Sequence, residues 1–319
     1  MTSLIAARRD RVLGAMAERD IDVLVLGRQD DANYASGMHR LWTAGTRPFG
    51  AGCLVVRSTG RTHVLSGWDA GLPETMTWDD LYPSTWNPRV MSGYLAAIPG
   101  LAEAKRIGVD EVSPSFARAA ARLAPDAAVV PADDLMSTVR RIKLPEEIEK
   151  IRAACVVAWA GIEAAVLARD VSPDEQLGAA VKALAAAGAT IPSSTPVVKT
   201  VDDITVIDIG VIVDGYEGGV GHRAPVEGPD APPDRPTLSQ ACRPGATHAD
   251  LARTATQNDW LVRGLGMGFE RPVIDPTHGF DEVLEAGMVL SVGDGVERSV
   301  VHVTPTGAEI LSDRPRQDP

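Results

Sequence analysis

The feature that most constrains this chain is the apolar run Ile204–Val213, rich in β-branched residues, with a single carboxylate, Asp208, inside it. Such a run reads as a buried strand. A carboxylate within it has to be paired, hydrogen-bonded or ligating, because burying it alone is costly. Asp214 and Gly215 follow at once, a dipeptide suited to a tight hairpin turn, and then the glycine-rich stretch Tyr216-Glu-Gly-Gly219. A β-hairpin with a charge in its first arm is therefore the element around which any function has to be built.

The 319 residues suit two domains or one large one, and 45% apolar residues are ample for a core. In the first part, residues 5–19 read as a helix and 22–27 as a buried strand. Residues 33–37 read as a turn. Residues 51–56 and 61–65 read as strands flanking a Ser58-Thr-Gly60 turn, with further strands at 106–110 and 127–130 and a helix at 114–123. Strands alternating with helices predict a small α/β domain over 1–136, and 137–319 as a second domain. Pro145 and the acids after it open a long helix over 145–168, and Ser172 with Glu175 forms the cap of the next. Short strands follow, with one helix near 247–257.

The net charge is −12, which argues against nucleic acid or an anionic membrane as partner. No apolar run reaches the roughly 18–20 residues of a membrane helix, and the amphipathic N-terminus has no secretory core. Three scattered cysteines, Cys53, Cys155 and Cys242, make neither a disulfide framework nor a metal knuckle, which fits a reducing cytoplasm. Residues 200–319 hold 20 acids against nine arginines and no lysine, so nearly the whole surplus lies in the last third. A cation site would be sought there.

Four stretches, in order, resemble the creatinase, aminopeptidase P and prolidase family of pita-bread proteins. They are the turn Tyr34-Ala-Ser-Gly37; the junction Val139-Arg-Arg-Ile-Lys-Leu-Pro-Glu-Glu-Ile-Glu-Lys-Ile-Arg-Ala153; the strand pair from Asp203 to Tyr216; and the closing segments Glu285-Ala-Gly-Met-Val-Leu-Ser-Val292 and Val303-Thr-Pro-Thr-Gly-Ala-Glu-Ile-Leu311. The resemblance implies an α/β (α+β) fold: a creatinase-like N-terminal domain, then a pseudo-symmetric curved sheet backed by helices. It implies a pocket on the concave face, in most relatives holding two divalent metals that activate a hydroxide against an Xaa-Pro bond.

The family's ligand positions, followed through this sequence, are largely vacated. Asp208 matches the first ligand. The second position is Gly219, the histidine position is Arg263 or Leu265, and the two glutamate positions are Gly293 and Arg298, with Glu297 adjacent. The loop 192–200, where the family carries a substrate-side histidine, has none. No metal and no other cofactor is therefore expected, and the acid surplus reads as mostly surface charge.

What the vacated positions gain is arginine, so Arg223, Arg263, Arg271 and Arg298 are expected on the substrate side, with Glu270 beside them. The alternative for Arg263, Arg271 and Arg298 is a structural ion pair with Asp208, Glu270 or Glu297. His222 is the expected general acid–base, with Asp208 and Glu217 as its acidic partners. Trp42 and Arg47, in the loop 38–49, are expected to reach the pocket of the other subunit of a homodimer, as the resemblance implies. Two functions remain open: a metal-independent hydrolase or lyase acting on a small carboxylate-bearing, amino-acid-derived substrate, or a non-catalytic pseudoenzyme binding a small molecule or peptide. An Xaa-Pro peptidase fails on the ligand count.

Overall fold

The computed structural model describes residues 3–38, 52–66, 72–83, 85, 87–111, 114–201, 204–225, 237–279, 281–295 and 297–315. The chain divides into two compact units, Met1–Val139 and Arg140–Pro319.

In the first unit, α1 (Leu4–Glu18) starts where the Ser3 hydroxyl accepts the Ala6 N–H at 3.3 Å. It buries Arg8, Val12 and Met16, spaced four apart on one face. Then come β1 (Val23–Leu26), α2 (Gln29–Ser36), β2 (Cys53–Val56), β3 (Arg61–Leu65), β4 (Leu81–Tyr82), α3 (Pro88–Ala96), β5 (Arg106–Val109), α4 (Pro114–Leu123), β6 (Ala128–Pro131) and α5 (Asp133–Arg141). The strands form one mixed sheet in the order β4-β3-β2-β1-β5-β6, with β1 antiparallel to β2 and parallel to β5. The expected 33–37 turn is instead the end of α2. Gly37, at φ +76°, takes the left-handed position that stops the helix and donates its N–H to Asn33 O at 2.8 Å. The helix is short and polar and lacks an apolar period, which is why periodicity does not reveal it.

The second unit opens with α6 (Pro145–Leu167) and α7 (Pro173–Ala186), followed by β7 (Ile191–Pro192), β8 (Val197–Val201), β9 (Ile204–Val213) and β10 (Tyr216–Pro225). Next are α8 (Leu238–Ala241), α9 (His248–Thr254), β11 (Leu261–Gly266), β12 (Gly268–Ile274), β13 (Val289–Asp294), β14 (Glu297–Thr304) and β15 (Gly307–Ile310). The sheet is antiparallel, in the order β12-β11-β13-β14-β10-β9-β7, with β15 added to β14 and β8 to β9. This is the expected arrangement of an N-terminal α/β unit followed by a curved antiparallel sheet with helices.

The helix starts follow their sequence signals. Pro145 lies in the first turn of α6. The buried Glu147 carboxylate there accepts the Leu144 N–H at 2.9 Å and the Tyr216 hydroxyl at 2.8 Å. Ser172 and Glu175 cap α7 reciprocally. Helices α6 and α7 cover one half of the sheet, where Ala158, Trp159, Ile162 and Leu184 meet Ile207, Ile209, Val211 and Val220. The other half has its own core, in which Leu238, Cys242, Leu251 and Trp260 meet Val262, Leu290 and Val301.

A buried ion cluster ties the start of this unit to β12. Glu270 meets Lys143 Nζ at 2.5 Å and Arg140 Nη2 at 2.9 Å, and all three side chains are at most 8% exposed. Gly266, on the neighbouring strand, leaves room for this carboxylate; a Cβ there would also fall 3.1 Å from Lys143 Cε. Burial pushes the Glu270 carboxyl up, but the charges of Lys143 and Arg140 outweigh it and hold the group below its ordinary 4.5. A carboxyl depressed in the folded state adds stability above its unfolded pKa and loses it as the pH falls through the folded pKa. Glu270→Gln leaves two buried cations unbalanced and is expected to cost about 3–5 kcal/mol at neutral pH. In urea unfolding the gap to wild type narrows as the pH drops below 4.5. A gap that stays constant down to pH 3 would rule out this role.

Candidate functional site

The site is built on the β9–β10 hairpin. Asp214 and Gly215 both take positive φ, +50° and +81°, so the two-residue turn has the twist that matches the flanking strands. That turn sets the register: Ile212 faces Glu217, Gly210 faces Gly219, and Asp208 faces Gly221. Directly opposed residues share a face, so Asp208 and Glu217 stand together over a floor of Gly210, Gly219 and Gly221. The alternate residues, Ile207, Ile209, Val211 and Val220, pack toward the helices. The carboxylate inside the apolar run thus sits on the opposite side from the apolar core. This resolves its apparent cost.

Pairing with β14 and β13 brings the arginines in. Gly221 and Gly293 both face Arg298, and Arg263 faces Ser291 on β13. Arg298 donates to Asp208 Oδ1 through Nε at 2.9 Å and through Nη2, and its Nη1 lies 4.0 Å from Glu217 Oε1. Arg263 Nη2 donates to Glu217 Oε1 at 2.6 Å, and Nη1 donates to its neighbour's carbonyl, Gly264 O, at 3.2 Å. Glu217 is 3% exposed, so the pair with Arg263 supplies the counter-charge that a buried carboxylate needs. Two carboxylates and two guanidinium groups therefore form one charge-balanced cluster. The Arg298 guanidinium lies flat over the glycine floor: a Cβ at position 219 would fall within 2.9 Å of its Cζ and both Nη atoms. Behind that floor is Cys155 of α6, whose thiol burial pushes up to about 11, outside useful nucleophile range.

The other expected site residues divide clearly. His222 faces Ile207 and lies on the helix side of the hairpin, its ring 5.4 Å from Trp159 in an edge arrangement. It does not join Asp208, and the expected acid–base pairing is not formed. The hairpin register was itself readable: a two-residue turn at 214–215 sets Gly221, not His222, opposite Asp208. Glu270 is bound in the buried cluster with Lys143 and Arg140 and not beside Arg263 or Arg298. Arg223 is exposed on the Asp208 side by alternation, opposite Val206, and Arg271 is exposed next to Glu270. His302 pairs through Nδ1 with Glu309 at 2.9 Å, and Glu309 also meets Arg152 at 2.7 Å. Trp42 and Arg47 lie outside the described residues.

Four contributors were not legible as a set. Arg140 and Lys143 read as part of a junction helix entry, and only the fold reveals their carboxylate. Ser193 and Ser194, in the bend that follows β7, lie against Gly210, where Arg298 Nη2 also reaches. Among the described residues there is no group of three or more His, Cys, Asp or Glu side chains placed to hold a metal ion. None of the described helices is long and apolar enough to cross a membrane.

Comparison with known proteins agrees with this architecture. Residues 8–142 match the creatinase/prolidase N-terminal domain family. The fold of the whole chain is similar to that of the prolidase from Pyrococcus horikoshii OT3, at 15% identity and a TM-score of 0.71, covering 98% of this chain and 99% of that one. It is also similar to the Xaa-Pro dipeptidase from Bacillus anthracis, at 17% identity and a TM-score of 0.70, with 98% and 99% covered. The X-Pro aminopeptidase from Thermotoga maritima MSB8 aligns at 17% identity and a TM-score of 0.69, with 94% and 98% covered. A comparison with curated proteins gives no match. Residues 8–142 thus carry the sequence signature of the creatinase/prolidase N-terminal domain, and the chain as a whole shares the fold of prolidases and Xaa-Pro peptidases.

Proposed function

We propose that this protein works without a dinuclear metal centre, and that its pita-bread unit binds a small molecule rather than hydrolysing an Xaa-Pro bond. The observation that carries this reading is the Arg298 guanidinium, lodged between Asp208 and Glu217 over Gly219. A pair of hard dications needs several carboxylate and imidazole donors converging with open lone pairs. Here the Asp208 and Glu217 oxygens on this side accept from arginines, and a fixed positive charge stands between them, repelling any added cation. The residues present do not fit two metals. The placement of His222 on the far side of the hairpin takes away the expected proton carrier, which favours binding over turnover.

The catalytic alternative, a metal-independent hydrolase or lyase acting on a small carboxylate-bearing substrate, has one observation in its favour. The Asp208 side chain is 38% exposed and stands at the open side of the cluster, where it could accept a proton.

Two measurements decide between these readings and the peptidase. Protein purified without chelator, then supplemented with Mn²⁺ and assayed on Xaa-Pro dipeptides, is expected to carry no stoichiometric metal and to release no proline; metal at one or two equivalents with turnover would overturn the proposal. The second is a double-mutant cycle. Gly219→Asp alone drives a side chain into the Arg298 guanidinium and is expected to destabilise by about 2–4 kcal/mol, in the range of overpacking and broken buried pairs. Combined with Arg298→Ala, the same aspartate has room, so the two changes together cost at least about 1 kcal/mol less than their sum. Additive costs would mean that Arg298 does not occupy the space above Gly219.

A further inference from the structure

The face of β9 that carries Asp208 also carries Gly210, and three polar groups converge there. The hydroxyls of Ser193 and Ser194 and Nη2 of Arg298 all lie within 3.3 Å of the point where a Cβ at 210 would stand. Ser193 is held in place by its backbone, whose N–H donates to Gly210 O at 3.0 Å. Its Oγ is buried and has no hydrogen-bond partner among the described residues. A buried hydroxyl left in that state forfeits the hydrogen bonds it had in water, and such groups point to a missing ligand or water. Beside it, Arg298 uses only Oδ1 of Asp208, so Oδ2 accepts no hydrogen bond among the described residues.

These groups are complementary to one kind of ligand. The cluster of Asp208, Glu217, Arg263 and Arg298 is charge-balanced, so it favours neither a bare anion nor a bare cation. It offers an open carboxylate oxygen to a cationic N–H and, next to it, hydroxyl donors and a guanidinium edge to an oxygen. Building on the metal-free reading above, we propose that this site binds a free α-amino acid, with its ammonium on Asp208 Oδ2 and its carboxylate on the Ser193 and Ser194 hydroxyls. The gain from filling it is the satisfaction of Ser193 Oγ together with a charge-assisted contact at Asp208.

The test is calorimetric titration and thermal shift of the full chain in EDTA with each of the twenty standard amino acids. Every amino acid that binds is compared with the amine and the carboxylic acid that each keep only half of its polar groups, ethylamine and propionate in the case of alanine, and with a dipeptide such as L-alanyl-L-alanine. At least one amino acid is expected to bind, its two half-analogues at least tenfold more weakly. Ser193→Ala and Ser194→Ala, which leave the ion pairs intact, are each expected to weaken binding by about tenfold, the usual worth of one hydrogen bond to a charged group. Asp208→Asn should remove it. Binding by none of the amino acids, binding of propionate or the dipeptide as tight as the amino acid, or unchanged affinity in Ser193→Ala overturns the proposal. Absence of binding in a protein also found to be metal-free refutes the amino-acid site alone; binding seen only after Mn²⁺ is added refutes the metal-free reading itself.

Discussion

The ion pair between Asp208 on β9 and Arg298 on β14 is the interaction on which the rest of the site depends. It joins residues 90 apart in sequence through strands that both flank β10, and its guanidinium reaches on toward Glu217. Remove that cation and two carboxylates face each other across a glycine floor with only Arg263 to balance them. The neighbouring glycines follow from the same constraint. Gly219 is where a planar guanidinium needs to lie against backbone, and any side chain there would collide with it.

The same hairpin separates two environments by simple alternation. Odd positions of β9 build the core with α6 and α7, and even positions carry the polar site. The helix-facing layer holds His222 against Trp159, whose indole N–H donates to Ser312 O at 2.8 Å while Arg314 lies over the ring. The register thus places this histidine on the face away from Asp208. The polar layer instead is a hydrogen-bonding surface with paired charges. Within the second unit, charge pairing recurs: Glu270 takes Lys143 and Arg140, and Glu309 takes His302 and Arg152. Its excess acid is thus partly consumed by internal cations.

Much of this fold could be read from local patterns. The Ile204–Val213 strand, the Asp214-Gly215 turn, the Ser172–Glu175 cap and the Pro145 helix start are all short-range signals, and each is where it was expected. Helix α2 was missed because it is brief and polar, and strand β8 because Val197–Val201 carries a lysine and a threonine and looks like loop. The resemblance implied ligands at 219, 293 and 298, and that these positions are glycine, glycine and arginine was readable without coordinates. Where the replacing arginines point was not, since each had several acids within plausible reach. The mistaken pairing of His222 with Asp208 is of another kind: proximity in sequence suggested it, while the register set by the turn forbids it.

By itself the sequence determined that a carboxylate stands in a β-hairpin of a two-part α/β chain, a consequence of periodicity and turn chemistry over a few residues. That glycine and arginine stand at 219, 293 and 298, where the resemblance implies ligands, is legible only through that resemblance. Only the tertiary structure decided that Arg298 lies on Asp208, that Arg263 lies on Glu217, that Glu270 belongs to Lys143 and Arg140, and that Ser193 has a buried hydroxyl with no partner among the described residues. The physical reason is that an ion pair is chosen by the alignment of strands distant in sequence, and that alignment is set by the cores of the whole unit, not by the charges themselves.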